Sequence, residues 1–208
     1  MGVHAHPLPM RLCDHVRVEL VFLARHGETL WNKAGRRQGQ LDSELTEMGL
    51  AQARRHGSRL LGRGIDAIYS SPLGRALTTA KLIGERLELT VNVVEELAEV
   101  HHGDFAGLSN TDIMLRHPAA MARRSLDKYR WVFPGGESYA DADTRAGLAL
   151  GWLAKSGVRR PLLVSHEMIG RMLLKNLLGL HARDALGRSQ PNDVVYEVDP
   201  VQRLVRVI

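Results

Sequence analysis

The sequence predicts an α/β fold, a three-layer sandwich with a mostly parallel central sheet flanked by helices on both faces. Short apolar and β-branched runs recur along the chain, and segments with helical apolar spacing lie between them. That alternation implies strands joined by helical crossovers, hence a parallel sheet covered on both sides. With 208 residues, 44% of them apolar, the chain is long enough for one sizeable core. It shows no internal repeat, low-complexity stretch or Pro/Gly/Ser-rich linker.

Residues 1–15 read as a flexible N-terminal extension, and 16–208 as a single domain. VRVELVFLA (16–24) is the first predicted strand, buried along its second half. LTEMGLAQARRHGSRLL (45–61) reads as a helix capped by Thr46, with Leu50, Ala53, Leu60 and Leu61 on one face. IDAIYS (65–70) is the second strand, followed by a helix with Ser71 at its N-cap and Pro72 in its first turn. TVNVV (90–94) is the third. From Glu95 to about Ser138 the pattern is irregular, with one or two short helices; in SNTDIMLRH, Ser109 and Asp112 have capping-box spacing. A helix over 139–155, the strand PLLVS (161–165), the helix MIGRMLLKNLLG and two short strands, VVYEV and RLVRV, complete the chain.

Composition narrows the function classes. The longest apolar runs are about five residues, far below the ~20 that span a bilayer, so no membrane partner is expected. The first residues lack the apolar stretch of a secretory signal. Position six is His6, not the Ser or Thr of a myristoylation signal. A single cysteine, Cys13, allows no internal disulfide and is expected to be inert. A cytoplasmic location follows as the expectation. Lys and Arg exceed Asp and Glu by 28 to 23. The basic residues fall in scattered doublets without interleaved aromatics, which argues against nucleic acid and for a small anionic ligand.

Ligands of open parallel sheets bind beyond the carboxyl ends of the strands. Arg25 and His26 end the first strand, Arg75 lies just past the second, Glu99 follows the third and His166 ends the fourth. Two arginines offer planar forks of permanently charged donors that suit phosphoryl oxygens. A neutral imidazole between them can attack phosphorus, splitting one hard displacement into two easier ones. The arginines themselves favour its neutral form. A second histidine can stabilise charge on the transferring group, and a carboxylic acid can protonate the leaving oxygen. No metal-ligand spacing such as HExxH or CxxC occurs, so neither metal nor cofactor is expected.

These residues lie in LARHGETLWN, GRRQGQLDSELTEMG, SSPLGRALTTA, LAEVHHGDFAGLS, PGGESYAD and LLVSHEMIGRMLL. In those blocks and their order the chain resembles the histidine phosphatase superfamily, the phosphoglycerate-mutase-like branch with the RHG signature. The resemblance spans about Leu20 to Val198. It implies that His26 is the phosphorylated nucleophile and Glu99 the general acid and then base. It places Arg25, Arg75, His166 and Asn32 in the phosphate pocket, Asn32 on its authority alone, and Gln38 and Gly39 near the substrate. It also allows a homodimer.

The activity expected is a metal-independent phosphomonoesterase acting on a small phosphorylated substrate. The alternative is a cofactor-dependent phosphoglycerate mutase. Mutases of the family have a longer insertion than the roughly 35 residues between Glu99 and Pro134. A silent phospho-ligand-binding domain is the third reading, and the presence of His26 and Glu99 argues against it. One departure stands out: Glu167 follows His166 where the family usually has glycine, and it is expected to point into solvent. His56, His101, His102, His117 and His181 are expected at the surface or in loops. Trp131 and Tyr129 are candidates for the pocket wall or for packing. Arg116, Arg123, Arg124 and Lys128 either favour substrates with extra negative charge or are solvated.

Overall fold

A computed structural model describes residues 18–208. The expected 1–15 extension and Cys13 lie outside the described residues. Among these, six strands form one sheet: β1 (Val21–Arg25), β2 (Ala67–Ser70), β3 (Val91–Val93), β4 (Pro161–Ser165), β5 (Val195–Asp199) and β6 (Leu204–Val207). Their order is β3-β2-β4-β1-β5-β6. β3, β2, β4 and β1 pair in parallel, and β5 and β6 add an antiparallel edge. The predicted mostly parallel sheet is therefore present, with the last two strands as a hairpin.

Alternation along the strands sorts the core onto two faces. Val21, Leu23, Tyr69, Leu163 and Val198 face one side and pack on α6 (Tyr139–Leu153) and α7 (Glu167–Leu178). Phe22, Ala24, Ile68, Leu162 and Val164 face the other and pack on α2 (Glu47–Leu60) and α3 (Gly74–Leu87). Both faces are covered, as a parallel sheet requires.

The helix ends follow local chemistry. Thr46 caps α2, accepting the N–H of Gly49. Its buried face is Gly49, Ala53, His56, Gly57 and Leu60, while Leu61 lies past the end and is exposed. His56 thus belongs to the interior rather than the surface; its Nε2–H donates to Asn192 O at 2.9 Å, and its Nδ1 is buried with no partner among the described residues. Ser71 does not cap α3. That position falls to Leu73, and the Ser71 hydroxyl is used elsewhere.

The irregular stretch resolves into two 3₁₀ turns, α4 (Asn110–Arg116) and α5 (Pro118–Leu126). Ser109 and Asp112 form the expected capping box. Tyr129 and Trp131 pack against the core, with the Tyr129 hydroxyl donating to Asp143 Oδ2 at 2.5 Å, so of the two expectations packing is the outcome. PGGES is a turn that leads into α6, and Ser138 caps that helix. Among the described residues no helix is long and apolar enough to cross a membrane.

Candidate active site

The carboxyl ends of β1, β2 and β4 lie at one edge of the sheet, and the candidate residues converge there. A cavity of about 360 Å³ is lined by Arg25, His26, Asn32, Gln38, Gly39, Arg75 and Glu99. His166, fully buried, lies just behind it, its ring centroid 5.2 Å from that of His26. All eight candidate site residues are therefore at this edge, whereas Arg116 and Arg123 do not line the cavity. Glu95 and Glu96, acidic residues close to Glu99 in the chain, sit in a 3₁₀ turn outside the cavity lining.

The His26 loop depends on two glycines. A Cβ on Gly27 would strike the carbonyl of Gly49, and one on Gly49 would strike that of Glu28. Only the pair allows the β1–α1 turn to lie directly on the first turn of α2; α1 is the short helix Leu30–Lys33. The Gly27 N–H donates to Thr79 Oγ1 at 3.0 Å, and Asn192 Nδ2 donates to His26 O at 2.6 Å. His26 Nδ1 lies 2.8 Å from Gly27 O. A carbonyl only accepts, so Nδ1 carries the proton and Nε2 keeps its lone pair. Burial first, then Arg75 and Arg25, hold the ring well below its ordinary pKa.

Arg75, 2% exposed, is fixed by Leu41 O at 2.7 Å, Gly39 O at 2.7 Å and Asp42 Oδ1 at 3.1 Å. Gly39 adopts φ +55°, with His102 packed close against it. Arg25 Nη1 donates to Gln190 O and pairs with Glu167 Oε2 at 3.0 Å. Glu167 also pairs with Arg171, one turn along α7. It therefore does not point into solvent. Two nearby guanidinium groups outweigh hydration of the carboxylate, and it spends its charge on holding Arg25 with the Nε–Nη2 edge unengaged.

The Glu99 carboxylate is held by the first turn of α7. Oε1 accepts the N–H groups of Val100 and Ile169 at 2.9 and 3.1 Å, and Oε2 that of Met168 at 3.2 Å. These donors, two of them from the start of α7, fix the orientation of the carboxyl group. Oε2, with one donor, retains room for a proton. The Glu99 backbone is clamped from behind: Gln40 Nε2 donates to its carbonyl at 3.0 Å, and Arg145 donates to the carbonyls of Glu96 and Ala98 while pairing with Glu137.

His166 Nε2 lies 2.8 Å from Ser71 Oγ. The same oxygen also accepts the N–H of Leu73 at 3.2 Å. Burial first, then Arg75, His26 and Arg25, keep His166 well below its ordinary pKa.

Sequence reasoning missed the contact of the Ser71 hydroxyl with the His166 ring, and the roles of Gln40, Glu137 and Arg145, which bond to the backbone around Glu99 in a way no local pattern announces. It also left out Arg37, Tyr139 and Arg171 and set His102 aside, all of which line the cavity. His102 is 7% exposed rather than a surface residue. The adjacent HHGD block was the one available signal.

Residues 21–206 match the histidine phosphatase superfamily (branch 1), and the chain belongs to that family, whose members are phosphatases or mutases. It is 39% identical over 164 residues to "Probable phosphoglycerate mutase GpmB" of Yersinia pestis (strain Pestoides F), covering 78% of this chain and 76% of the relative. A mycobacterial glucosyl-3-phosphoglycerate phosphatase, solved with VO3, superposes with a TM-score of 0.80 at 32% identity, covering 92% of this chain and 98% of that one. For a putative alpha-ribazole-5'-P phosphatase from Escherichia coli K-12 the values are 0.82 and 24%, covering 92% of this chain and 95% of that one, which supports the fold.

Proposed function

We propose that the chain is a metal-independent phosphomonoesterase that acts on a small phosphorylated substrate through a phosphohistidine at His26. The observation that carries this reading is the state of His26. It is neutral, with Nδ1–H committed to Gly27 O and a lone pair on Nε2, beside two guanidinium groups fixed from behind. Arg25 and Arg75, with Asn32 and Gln38 on the cavity wall, receive the phosphoryl oxygens and supply the positive charge that phosphoryl transfer demands.

The Nε2 lone pair forms the bond to phosphorus as the ester oxygen departs with a proton from Glu99 Oε2. Water then attacks the phosphohistidine and gives its proton to the Glu99 carboxylate. His26 and inorganic phosphate are released, and Glu99 is again the acid. Ser71 and His166 form a hydrogen-bonded pair at the back of the pocket that orients the second imidazole.

A mutase is the second reading, favoured by the name of the 39% identical relative. Phosphate release from a panel of phosphomonoesters in EDTA, with 3-phosphoglycerate included and its isomer followed, separates the two. Release without isomer exchange is expected. Exchange with little release would assign the mutase, and a metal requirement would overturn the mechanism.

A further inference from the structure

The peptide unit between His26 and Gly27 is gripped at both of its polar ends by side chains from distant parts of the chain. Asn192, in the turn before β5, donates from Nδ2 to the His26 carbonyl at 2.6 Å. Thr79, fully buried on α3, accepts the Gly27 N–H through Oγ1 at 3.0 Å. The same hydroxyl donates to Arg75 O, one turn earlier on α3, at 2.8 Å, so its proton is committed. The His26 N–H is tied to Ser165 O on β4 at 3.0 Å. Each backbone polar group from His26 N to Gly27 N therefore has a partner.

The two grips are matched to the two arginines. α3 carries Arg75 into the cavity and, one turn on, Thr79 to the peptide. The 190–192 turn gives Gln190 O to Arg25 Nη1 at 3.2 Å and Asn192 to His26. Each segment thus fixes one cation and one end of the same peptide. The turn is itself anchored to α2, where His56 Nε2–H donates to Asn192 O at 2.9 Å and Arg59 Nη1 donates to Asp193 O at 2.6 Å.

What this arrangement fixes is a tautomer. Burial keeps the His26 ring neutral, and a neutral imidazole carries its proton on whichever nitrogen has the better acceptor. Nδ1 lies 2.8 Å from Gly27 O, the carbonyl of the next peptide unit. The place of that carbonyl depends on the 26–27 peptide plane before it. Glycine has the backbone that turns most readily, so this plane has to be held by its polar ends. A rotated plane would carry Gly27 O away from Nδ1, let the proton sit on Nε2 and take the lone pair from the atom that attacks.

We propose that Thr79 and Asn192 are positioning residues for phosphoryl transfer: by clamping the His26–Gly27 peptide they hold Gly27 O against Nδ1 and keep the attacking lone pair on Nε2. The proposal rests on the preceding reading in that His26 is taken as the nucleophile. Neither residue lines the cavity, so each acts through His26 and not on the substrate.

Two measurements test it. In protein labelled with ¹⁵N-histidine, two-bond ¹H–¹⁵N correlation separates a protonated Nδ1 from a protonated Nε2, and the His26→Gln protein identifies the signals of residue 26. The wild type is expected to show Nδ1–H at neutral pH. Thr79→Val, which keeps the side-chain shape without the hydroxyl, and Asn192→Ala should each move residue 26 toward Nε2–H. In rapid-quench kinetics with para-nitrophenyl phosphate the same variants should release nitrophenolate roughly 10- to 100-fold more slowly, the scale for misplacement of a reacting group. Thr79→Ser, which restores the hydroxyl, should recover most of that loss. Calorimetric affinity for inorganic phosphate should stay at the wild-type level, whereas general damage to the pocket would lower it. Should Thr79→Val fail to fold, Asn192→Ala, at a half-buried position, carries the same readings. Wild-type tautomer and rate in the variants, an equal deficit in Thr79→Ser and Thr79→Val, or phosphate affinity that falls in step with the rate would each overturn the proposal. Absence of phosphate release by the wild type would instead count against the phosphatase reading, and the tautomer comparison would still read the clamp.

Discussion

In the proposed mechanism His26 and Glu99 are prepared by opposite means. Burial and two adjacent cations keep the His26 ring neutral and its lone pair free. Glu99 is placed by three backbone N–H groups, two of them from the start of α7, with Oε2 less engaged than Oε1. Glu99→Gln keeps the shape of that cradle and removes the proton. It should slow turnover of alkyl phosphates by roughly 10²–10⁴-fold, and that of aryl phosphates with good leaving groups much less. Steady-state rates on a matched alkyl and aryl pair measure this, and equal losses would remove the acid role. At this scale Arg25, His26, Arg75, Glu99 and His166 were legible in the sequence because each follows a strand, and the strands share an edge. Ser71 read as a helix cap, yet its hydroxyl turns to His166, 95 residues away. Glu167 read as a solvated departure because nothing local shows that Arg25, on β1, lies within 3.0 Å.

The elements were legible where periodicity is strong. β1, β2 and β4 and the helices α2, α6 and α7 follow from apolar runs and 3.6-residue spacing, with ends set by Thr46 and Ser138. The stretch from Glu95 to Ser138 was not, since its geometry comes from distant contacts: Arg145 and Glu137 hold the Glu99 loop, and short helices 4 and 5 lie over one side of the cavity. The most exacting contact between elements is the glycine pair joining the His26 loop to α2. Gly49→Ala would press a methyl group against the Glu28 carbonyl. The chain must shift to admit it, at a cost of about 1–3 kcal/mol by the usual scale of overpacking. Urea unfolding gives that loss directly. Because the shift displaces His26, phosphate release should fall as well, and an unperturbed variant on both counts would show that the contact is slack.

For the molecule as a whole, four buried histidines, His26, His56, His102 and His166, have pKa values lowered chiefly by burial. In the unfolded chain they take up protons below about pH 6.5. In the folded protein they take them up only at lower pH, so below that pH the unfolded state binds more protons and stability falls as pH falls. Each contributes up to about 1.4 kcal/mol per pH unit, and His102 continues to do so down to about pH 3. Denaturant midpoints should change little from pH 7.5 to about 6.5 and fall from there to pH 5, and a flat profile throughout would contradict the burial of these rings. The fold class was legible at this scale from alternation alone. The lining of the cavity was not, because it brings Arg37, Arg124 and Lys128 together from three segments.

The central claim is that the phosphoryl group passes through His26. Brief incubation with a ³²P-labelled phosphomonoester in EDTA, followed by rapid denaturation at alkaline pH and peptide mapping, tests it most directly. Label on the peptide containing His26, lost on acid treatment and absent from His26→Ala, is the predicted result. Turnover without any trapped label on that peptide, or label that persists in the His26→Ala protein, would contradict it.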